Sequence, residues 1–444
     1  MRLPWWSSDV TSLERPVGSM TLSGTARQAA ERTPTEQAVV AERREGALPS
    51  RLLINRDFSI YTAGSFISAT GSWFQVVALG WLVVSIGGRH SGFLLGLVGF
   101  TSLMPILVLG LVGGLLADRL NRRVLLLATQ LFNASVLLLL AYLTGTGRAT
   151  VGVILTFALV MGIVNALTWP AWQSLINDMV APHDLARAIA LNSARFNLTR
   201  VIGPALGGAL LTVVGAAWCF AANAVTAVGV TCSLLAIRPR VQPRRPHEPL
   251  RQALLGGLLY AYATPRARTI LLATTALGML GLPYNSFLPA FAKGVVNAGP
   301  GGLGLLLTAV GLGALGGALS SGLEWVITRR RLVLCGALAL FGLADVLFAA
   351  SRWLPLSLAA LAVLGFAMLL YLATANTALQ SEVPRAVLGR LMGVWVIVTS
   401  GTTPLGSLAM GALSTAIGVQ AAVGLGGVGC ILCGAFLMRM RGMA

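Results

Sequence analysis

The chain has 444 residues, of which 56% are hydrophobic and only 10% are charged, and its formal net charge is +18 at pH 7. Globular domains have about 45–50% apolar and about 25% charged residues, so this chain lacks the polar surface that soluble domains need. The shortage of charge also excludes disorder over most of the length. The composition indicates a protein that crosses a membrane many times, and the basic residues, placed in short segments between apolar runs, do not indicate nucleic-acid binding.

The first region in chain order is a polar tail, followed by apolar runs. Residues 1–50 have no apolar core, which predicts a disordered cytoplasmic tail and not a cleaved signal peptide. A run of about 20 mostly apolar residues is long enough for a helix to span a bilayer. Six such runs lie within residues 51–237 and six within residues 268–444. The twelve predicted spans are 58–86, 92–117, 124–144, 149–175, 187–214, 217–237, 268–292, 301–327, 332–350, 355–379, 388–415 and 419–438.

The segment between the two sets of spans, residues 238–267, is rich in proline and arginine. It predicts a cytoplasmic linker with a short interfacial helix near 250–263. The flanking sets share features at similar offsets, since Pro204 in the fifth span matches Pro404 in the eleventh. We therefore predict an all-α polytopic membrane protein with twelve transmembrane helices in two pseudo-symmetric six-helix halves.

The distribution of arginine predicts the orientation. Placing both termini in the cytoplasm puts 26 of the 32 basic residues on the cytoplasmic side and 4 in the outer loops. Cytoplasmic loops carry an excess of Lys and Arg, which makes this orientation the favoured one. The expected location is the bacterial cytoplasmic (inner) membrane, with multiple passes.

The loop after the second span carries a motif. It reads Gly114-Leu-Leu-Ala-Asp118-Arg119-Leu-Asn121-Arg122-Arg123 and resembles the G-x-x-x-D-R-x-G-R-R signature of the major facilitator superfamily. Gly114 is expected to let two helices approach closely, and Asn121, which replaces a glycine, also tolerates left-handed backbone angles. The resemblance implies a set that locks the cytoplasmic side in one transport state, namely Gly114, Asp118, Arg119, Arg122 and Arg123.

The fifth span carries a second motif, Gly203-Pro204-Ala-Leu-Gly207-Gly208, which resembles the G-P-x-x-G-G core of an antiporter motif in the same superfamily. Proline removes a backbone hydrogen bond, while glycines allow close helix contact. Longer stretches such as 72–83 and 185–208 resemble a bacterial branch of drug and siderophore exporters, the transmembrane secretion effectors, which includes enterobactin-exporter-like proteins. The resemblance covers about residues 51–438 and implies a transporter that is not an enzyme.

Polar and aromatic residues near the middle of several spans are candidate substrate contacts. The resemblance implies that spans 1, 4, 7 and 10 line a cavity, where aromatic walls with scattered amides suit a bulky amphipathic ligand. Arg200 in the fifth span is either a cation for an anionic group or a member of a structural ion pair. The predicted contacts are Trp73, Gln75, Asn165, Trp169, Arg200, Tyr284, Asn285, Tyr371 and Asn376.

Acidic residues are scarce within the spans. Asp345 lies near the outer end of the ninth span, two turns before Arg352 on the same face, which predicts an ion pair in preference to a proton site. Proton coupling is therefore implied by the resemblance alone. The lone lysine, Lys293, is interpreted as a codon preference and not as a site.

The sequence thus predicts a secondary transporter that exports an amphipathic drug-like or siderophore-like molecule by alternating access and proton antiport. Its expected partners are the small-molecule substrate, protons and the lipid bilayer, and the protein is expected to be a monomer. No cofactor is expected, and no metal, because Cys430 and Cys433 have no further ligand pair nearby. Import or lipid flipping by the same fold stays open, and an integral-membrane enzyme is a weaker alternative.

Overall fold

The computed structural model describes residues 55–237 and 250–439. Within these two ranges the chain is helical apart from short turns, and no β-strand occurs. The N-terminal part consists of α1 (Arg56–Gly87), α2 (Ser91–Arg119), α3 (Arg122–Gly145), α4 (Val151–Met179) and α5 (Leu185–Ala236). The predicted tail, residues 1–50, and residues 238–249 of the predicted linker lie outside the described residues.

The C-terminal part begins with a short helix at the position where the sequence predicts one. Two π-helical segments, Leu277–Gly281 and Phe291–Val295, interrupt the region that the sequence predicts as the seventh span. The helices are α6 (Leu250–Ala263), α7 (Pro265–Ala276), α8 (Tyr284–Ala290), α9 (Gly299–Ser320), α10 (Glu324–Thr328), α11 (Arg330–Ala350), α12 (Leu354–Glu382), α13 (Arg385–Ile417) and α14 (Val419–Arg439).

Ten stretches of the described residues are long and apolar enough to cross a membrane. Two of them, Arg56–Gly110 and Leu185–Ala236, have 55 and 52 residues. A helix of the latter length extends about 78 Å, more than twice the hydrocarbon core of about 30 Å. Each stretch contains a glycine with left-handed backbone angles, Gly88 with φ 52° and Gly215 with φ 81°. We infer that each stretch crosses twice, and the count of twelve stays a prediction.

Each end of the bundle contains a turn between two of the first three helices. The Gly88 end is where α1 ends and α2 begins, and the Asn121 end is where α2 ends and α3 begins. Asn121 has φ −67° and ψ 111°, and its side chain accepts a hydrogen bond from the backbone N–H of Arg123 at 3.1 Å. The expectation of left-handed angles at Asn121 is therefore wrong, because the residue acts instead as the N-cap of α3.

Arginines tie helices together at the Asn121 end within each part. Nε of Arg123 donates to the carbonyl of Leu234 at 2.7 Å, which joins α3 to the last turn of α5. Nη2 of Arg331 donates to the carbonyl of Met438 at 3.0 Å and joins α11 to α14. Cations at helix C-termini satisfy free carbonyls and interact favourably with the helix dipole.

Glycines bring the two parts into contact. A Cβ atom built on Gly96 of α2 would lie 2.8 Å from Cα of Gly411 in α13, and one built on Gly208 of α5 would lie 2.8 Å from Cα of Gly304 in α9. Both distances are shorter than any side chain allows, so the paired backbones are in direct contact. Small residues at helix crossings give this close packing in membrane proteins, where lipid supplies no hydrophobic driving force between helices.

Candidate functional site

The glycine-proline motif of α5 lies where α1, α5 and α9 meet. Gly203 faces α1, since a Cβ atom there would lie 2.6 Å from Cγ of Trp73. Gly207 also faces α1, where the nearest atom is the carbonyl oxygen of Trp73, whereas Gly208 faces Gly304 of α9. The motif therefore lets one helix of the N-terminal part contact a neighbour in each part of the molecule.

Pro204 frees a carbonyl group at the same crossing. Proline has no N–H to donate to the residue four positions earlier, which here is Arg200. A Cβ atom built on Gly311 of α9 would lie 2.6 Å from that carbonyl oxygen, so the glycine allows α9 to approach the freed group. Close by, Oγ1 of Thr308 donates to the carbonyl of Val201 at 3.1 Å. The freed carbonyl group of α5 is thus covered by α9.

The guanidinium group of Arg200 is the candidate ligand-binding cation. Arg200 is half-buried midway along the first half of α5, and among the described residues it has neither a hydrogen-bond partner nor an ion-pair partner. It lies within electrostatic range of Tyr284 in α8. No acidic side chain in residues 55–237 or 250–439 forms the structural ion pair that was the alternative role for Arg200. A half-buried cation with no counter-ion can accept an anionic group from a ligand.

The other predicted substrate contacts separate into two groups. Trp169 is 55% exposed, Asn165 and Asn285 are also exposed, and Trp73 is half-buried against Gly203. These residues are accessible to a ligand. The residues whose side chains make contacts inside their own part, or are buried there, are Gln75, Tyr284, Tyr371 and Asn376.

The residues of this second group have specific neighbours. Oε1 of Gln75 accepts a hydrogen bond from Nδ2 of Asn223 at 3.0 Å, and the hydroxyls of Tyr371 and Thr274 lie 3.2 Å apart. The Tyr284 ring is 2% exposed and packs edge-on against Phe341. The side chains of Gln75, Tyr284 and Tyr371 thus stabilise the packing of helices. Asn376 is half-buried and accepts a hydrogen bond from Nε2 of Gln380 one turn along the same helix.

The arginine motif at the Asn121 end forms contacts within the N-terminal part. Nη1 of Arg122 lies 3.0 Å and 2.7 Å from the two carboxylate oxygens of Asp178, which is 7% exposed at the end of α4. The side chains of Asp118 and Arg119 lie outside the described residues. The close helix contact expected at Gly114 occurs instead at Gly113, where a Cβ atom would lie 2.9 Å from Cα of Leu167. A Cβ atom built on Gly114 would have no atom within 4 Å.

Lys293 lies at the Gly88 end, where it joins the two parts. Nζ is 3.4 Å from the carbonyl of Val84 in α1 and 5.9 Å from the centre of the Trp81 ring. The sequence interpretation gave this residue no role. The sequence offered one indication that Lys293 is unusual: it is the one lysine among 32 basic residues.

The ion pair predicted between Asp345 and Arg352 does not form. The carboxyl group of Asp345 is fully buried, and neither of its oxygens has a hydrogen-bond partner among the described residues. Arg352 is exposed beyond the end of α11. The prediction failed because it used helix periodicity past Ala350, where the helix ends and Ser351 adopts extended backbone angles.

Comparison with known proteins adds a family match over nearly the whole chain. Residues 52–443 match the family model described as transmembrane secretion effector. The chain is 28% identical over 382 residues to the multidrug efflux pump Tap of Mycolicibacterium fortuitum, covering 82% of this chain and 89% of that protein. It is 27% identical over 382 residues to the enterobactin exporter EntS of Citrobacter koseri, covering 83% and 90%.

The fold is similar to that of solved transporter structures. The nucleoside transporter NupG superposes with a TM-score of 0.66 at 14% sequence identity, covering 86% of this chain and 98% of that one. Identity at this level shows a shared fold and carries no information on the ligand.

Proposed function

Because the chain belongs to the transmembrane secretion effector family of the major facilitator superfamily, we propose that it exports an amphipathic small molecule across the bacterial cytoplasmic membrane. Export would proceed by alternating access, with inward proton flow as the energy source. The names of its relatives, a multidrug efflux pump and an enterobactin exporter, support a drug-like or siderophore-like substrate.

The observation that carries this proposal is the uneven contact between the two parts. Close approaches between them lie at the Gly88 end and near the middle, as at Gly96 with Gly411, Gly208 with Gly304, and Lys293 with Val84. The arginine contacts described at the Asn121 end join helices of the same part. We infer a cleft that opens toward the Asn121 end, which is the cytoplasmic end in the orientation favoured by the arginines.

The proposed substrate site lies in this cleft around Arg200. Trp169 supplies an apolar face, Asn165 and Asn285 supply amide groups, and Arg200 supplies a cation without a counter-ion in the described chain. An apolar surface with a few convergent polar groups is typical of small-molecule sites. We therefore expect the substrate to combine an apolar body with an anionic group such as a carboxylate or a phenolate.

We also propose the topology, oligomeric state, domain boundaries and gating residues that the sequence predicts. Both termini are cytoplasmic, the protein functions as a monomer, and the domains are residues 1–50, 51–237, 238–267 and 268–444. The gating set is Gly114, Asp118, Arg119, Arg122, Arg123, Gly203, Pro204, Gly207 and Gly208.

The experiment compares small molecules in the medium of three strains by mass spectrometry: a deletion strain, a strain with the wild-type protein and one with Arg200→Gln at equal membrane level. We expect a molecule that depends on the wild-type protein and falls in the other two strains. Uptake of that molecule into everted membrane vesicles then gives the direction. Depletion of the molecule from the medium by the wild-type protein would instead indicate import and refute export.

A further inference from the structure

The carboxyl group of Asp345 lies between two aromatic pairs that join α11 to the interrupted seventh span. Phe341 and Phe348 precede and follow it by four and three residues, so the three side chains share one helix face. The ring of Phe341 packs edge-on against Tyr284 with 6.0 Å between centroids, and that of Phe348 lies 4.3 Å from Phe291. Asp345 therefore faces the α8 region between Tyr284 and Phe291.

This position is unfavourable for an ionised carboxylate. Asp345 is 0% exposed, and both of its oxygens lack hydrogen-bond partners among the described residues. A buried charge without a partner loses its hydration with nothing in exchange, whereas the neutral acid is much less costly to bury. The packing described here therefore fits the protonated acid.

Within residues 55–237 and 250–439, no basic side chain forms an ion pair with Asp345. Tyr284 faces it from α8 and Cys430 faces it from α14, both within electrostatic range. In α12, Tyr371 is within electrostatic range of Cys430, and its hydroxyl shares a hydrogen bond with that of Thr274. Arg200 is within electrostatic range of Tyr284 across the boundary between the two parts.

We propose that Asp345 is the proton-binding residue of the transport cycle, an inference that rests on the proposed proton-coupled export. In the conformation described here, the protonated acid lets Tyr284 and Phe291 pack against α11. Loss of the proton leaves a carboxylate that requires water or a cation, and this opens the contact between α11 and the α8 region.

The backbone of the α8 region is suited to such a change. Pro283 and Pro289 interrupt its hydrogen-bond ladder, and π-helical segments flank it on both sides. π-helical turns are rare and occur frequently at functional sites. Pro289 also contacts α1 directly, since a Cβ atom on Gly80 would lie 2.6 Å from its Cγ. Repacking of this region against α11 would thus change the contact between Pro289 and α1, which joins the two parts at the Gly88 end.

The proton step balances without a further reactant. A proton from the outer solution binds one carboxylate oxygen of Asp345 and forms an O–H bond. After the conformational change the O–H bond breaks, the electron pair stays on the carboxylate, and the proton enters cytoplasmic water. Asp345 lies five residues from the end of α11 at the Gly88 end, about 8 Å along the axis, which is close to the expected outer surface.

The first test needs no transported ligand. Infrared spectra of the purified full-length protein in lipid nanodiscs are compared for wild type, Asp345→Asn and the control Asp184→Asn, whose carboxylate is partly exposed beside His183. We expect a carbonyl band of a protonated carboxylic acid at neutral pH in wild type and in Asp184→Asn, and its loss in Asp345→Asn. An unchanged band in Asp345→Asn would overturn the inference.

The second test separates proton coupling from a structural role. Proteoliposomes are incubated with sulforhodamine B, a fluorescent dye with an apolar body and anionic groups, and two processes are measured: dye accumulation driven by a pH gradient and exchange of preloaded dye without a gradient. Asn mimics the neutral acid, so Asp345→Asn should keep exchange and lose gradient-driven accumulation. Wild-type-like accumulation in the variant would overturn the inference, and loss of both processes in a correctly folded variant would show a structural residue instead. Failure of wild type to move the dye would count against the proposed function, while the infrared band still decides the protonation of Asp345.

Discussion

Lys293 and Trp81 form a cation–π contact between the two parts of the molecule, with Nζ 5.9 Å from the ring centroid. The same ammonium group lies 3.4 Å from the carbonyl of Val84. Both contacts lie at the Gly88 end and connect the end of α1 to the π-helical segment after α8. They stabilise the closed state of that end.

Removal of this charge should favour opening at the Gly88 end. Lys293→Met keeps the length of the side chain and removes both contacts, at a cost of about 1 kcal/mol, which raises the ratio of open to closed molecules about fivefold. Spin labels at Arg148 and at Trp353, one in each part, would report a larger population of long distances. Arg352→Met removes an exposed charge at the same end and should leave the distribution unchanged. Identical distributions for both variants would exclude the role of Lys293.

The ion pair of Arg122 with Asp178 should stabilise the N-terminal part. Asp178→Asn removes the charge of a carboxyl group that is 7% exposed, and we expect a loss of about 1–3 kcal/mol in the free energy of unfolding. Thermal unfolding in detergent would report a lower Tm. Asp184→Asn provides the matched control, because that carboxylate lies 3.9 Å from Arg187 and is more exposed. An equal Tm for the two variants would contradict the prediction.

The contact of Gly208 with Gly304 should not tolerate a methyl group. In Gly208→Ala the new Cβ would lie 2.8 Å from Cα of Gly304, so α5 and α9 must separate, at about 1–3 kcal/mol. Gly229→Ala, further along α5 where no atom lies within 4 Å, should be neutral or stabilising because alanine favours the helix. Unfolding in a denaturing detergent would compare the two, and equal stability would argue against a tight crossing.

Arg200 should affect transport more than stability. Arg200→Gln removes the cation, and we expect Tm to stay near that of wild type. The reason is that no side chain in the described ranges forms a hydrogen bond or an ion pair with the guanidinium group. The apparent KM for an anionic substrate should rise. Arg195→Gln is a useful contrast, since Nη2 of Arg195 donates to Oδ1 of Asn192 at 2.8 Å, and its loss should lower Tm. Unchanged transport kinetics in Arg200→Gln would remove this residue from the site.

Local composition was sufficient for several conclusions. Apolar runs predicted the helices, and the two motifs, Gly114 to Arg123 and Gly203 to Gly208, predicted the family that the sequence comparison confirms. These properties depend on residues close together in the chain. Burial of backbone polar groups in lipid requires a helix wherever an apolar run crosses the membrane, whatever its neighbours are.

The tertiary structure decided which face of each helix meets which neighbour. In a membrane the lipid-facing surface and the core-facing surface are both apolar, so hydrophobic periodicity does not reveal the buried side. For this reason the close helix contact lies at Gly113 and not at Gly114. The hydroxyl of Tyr371 shares a hydrogen bond with Thr274 in its own part of the molecule. Asp345 lies between two aromatic pairs and does not pair with Arg352. The sequence determined that the chain spans the membrane as helices; only their packing determined which polar groups are paired and which are left to bind a ligand or a proton.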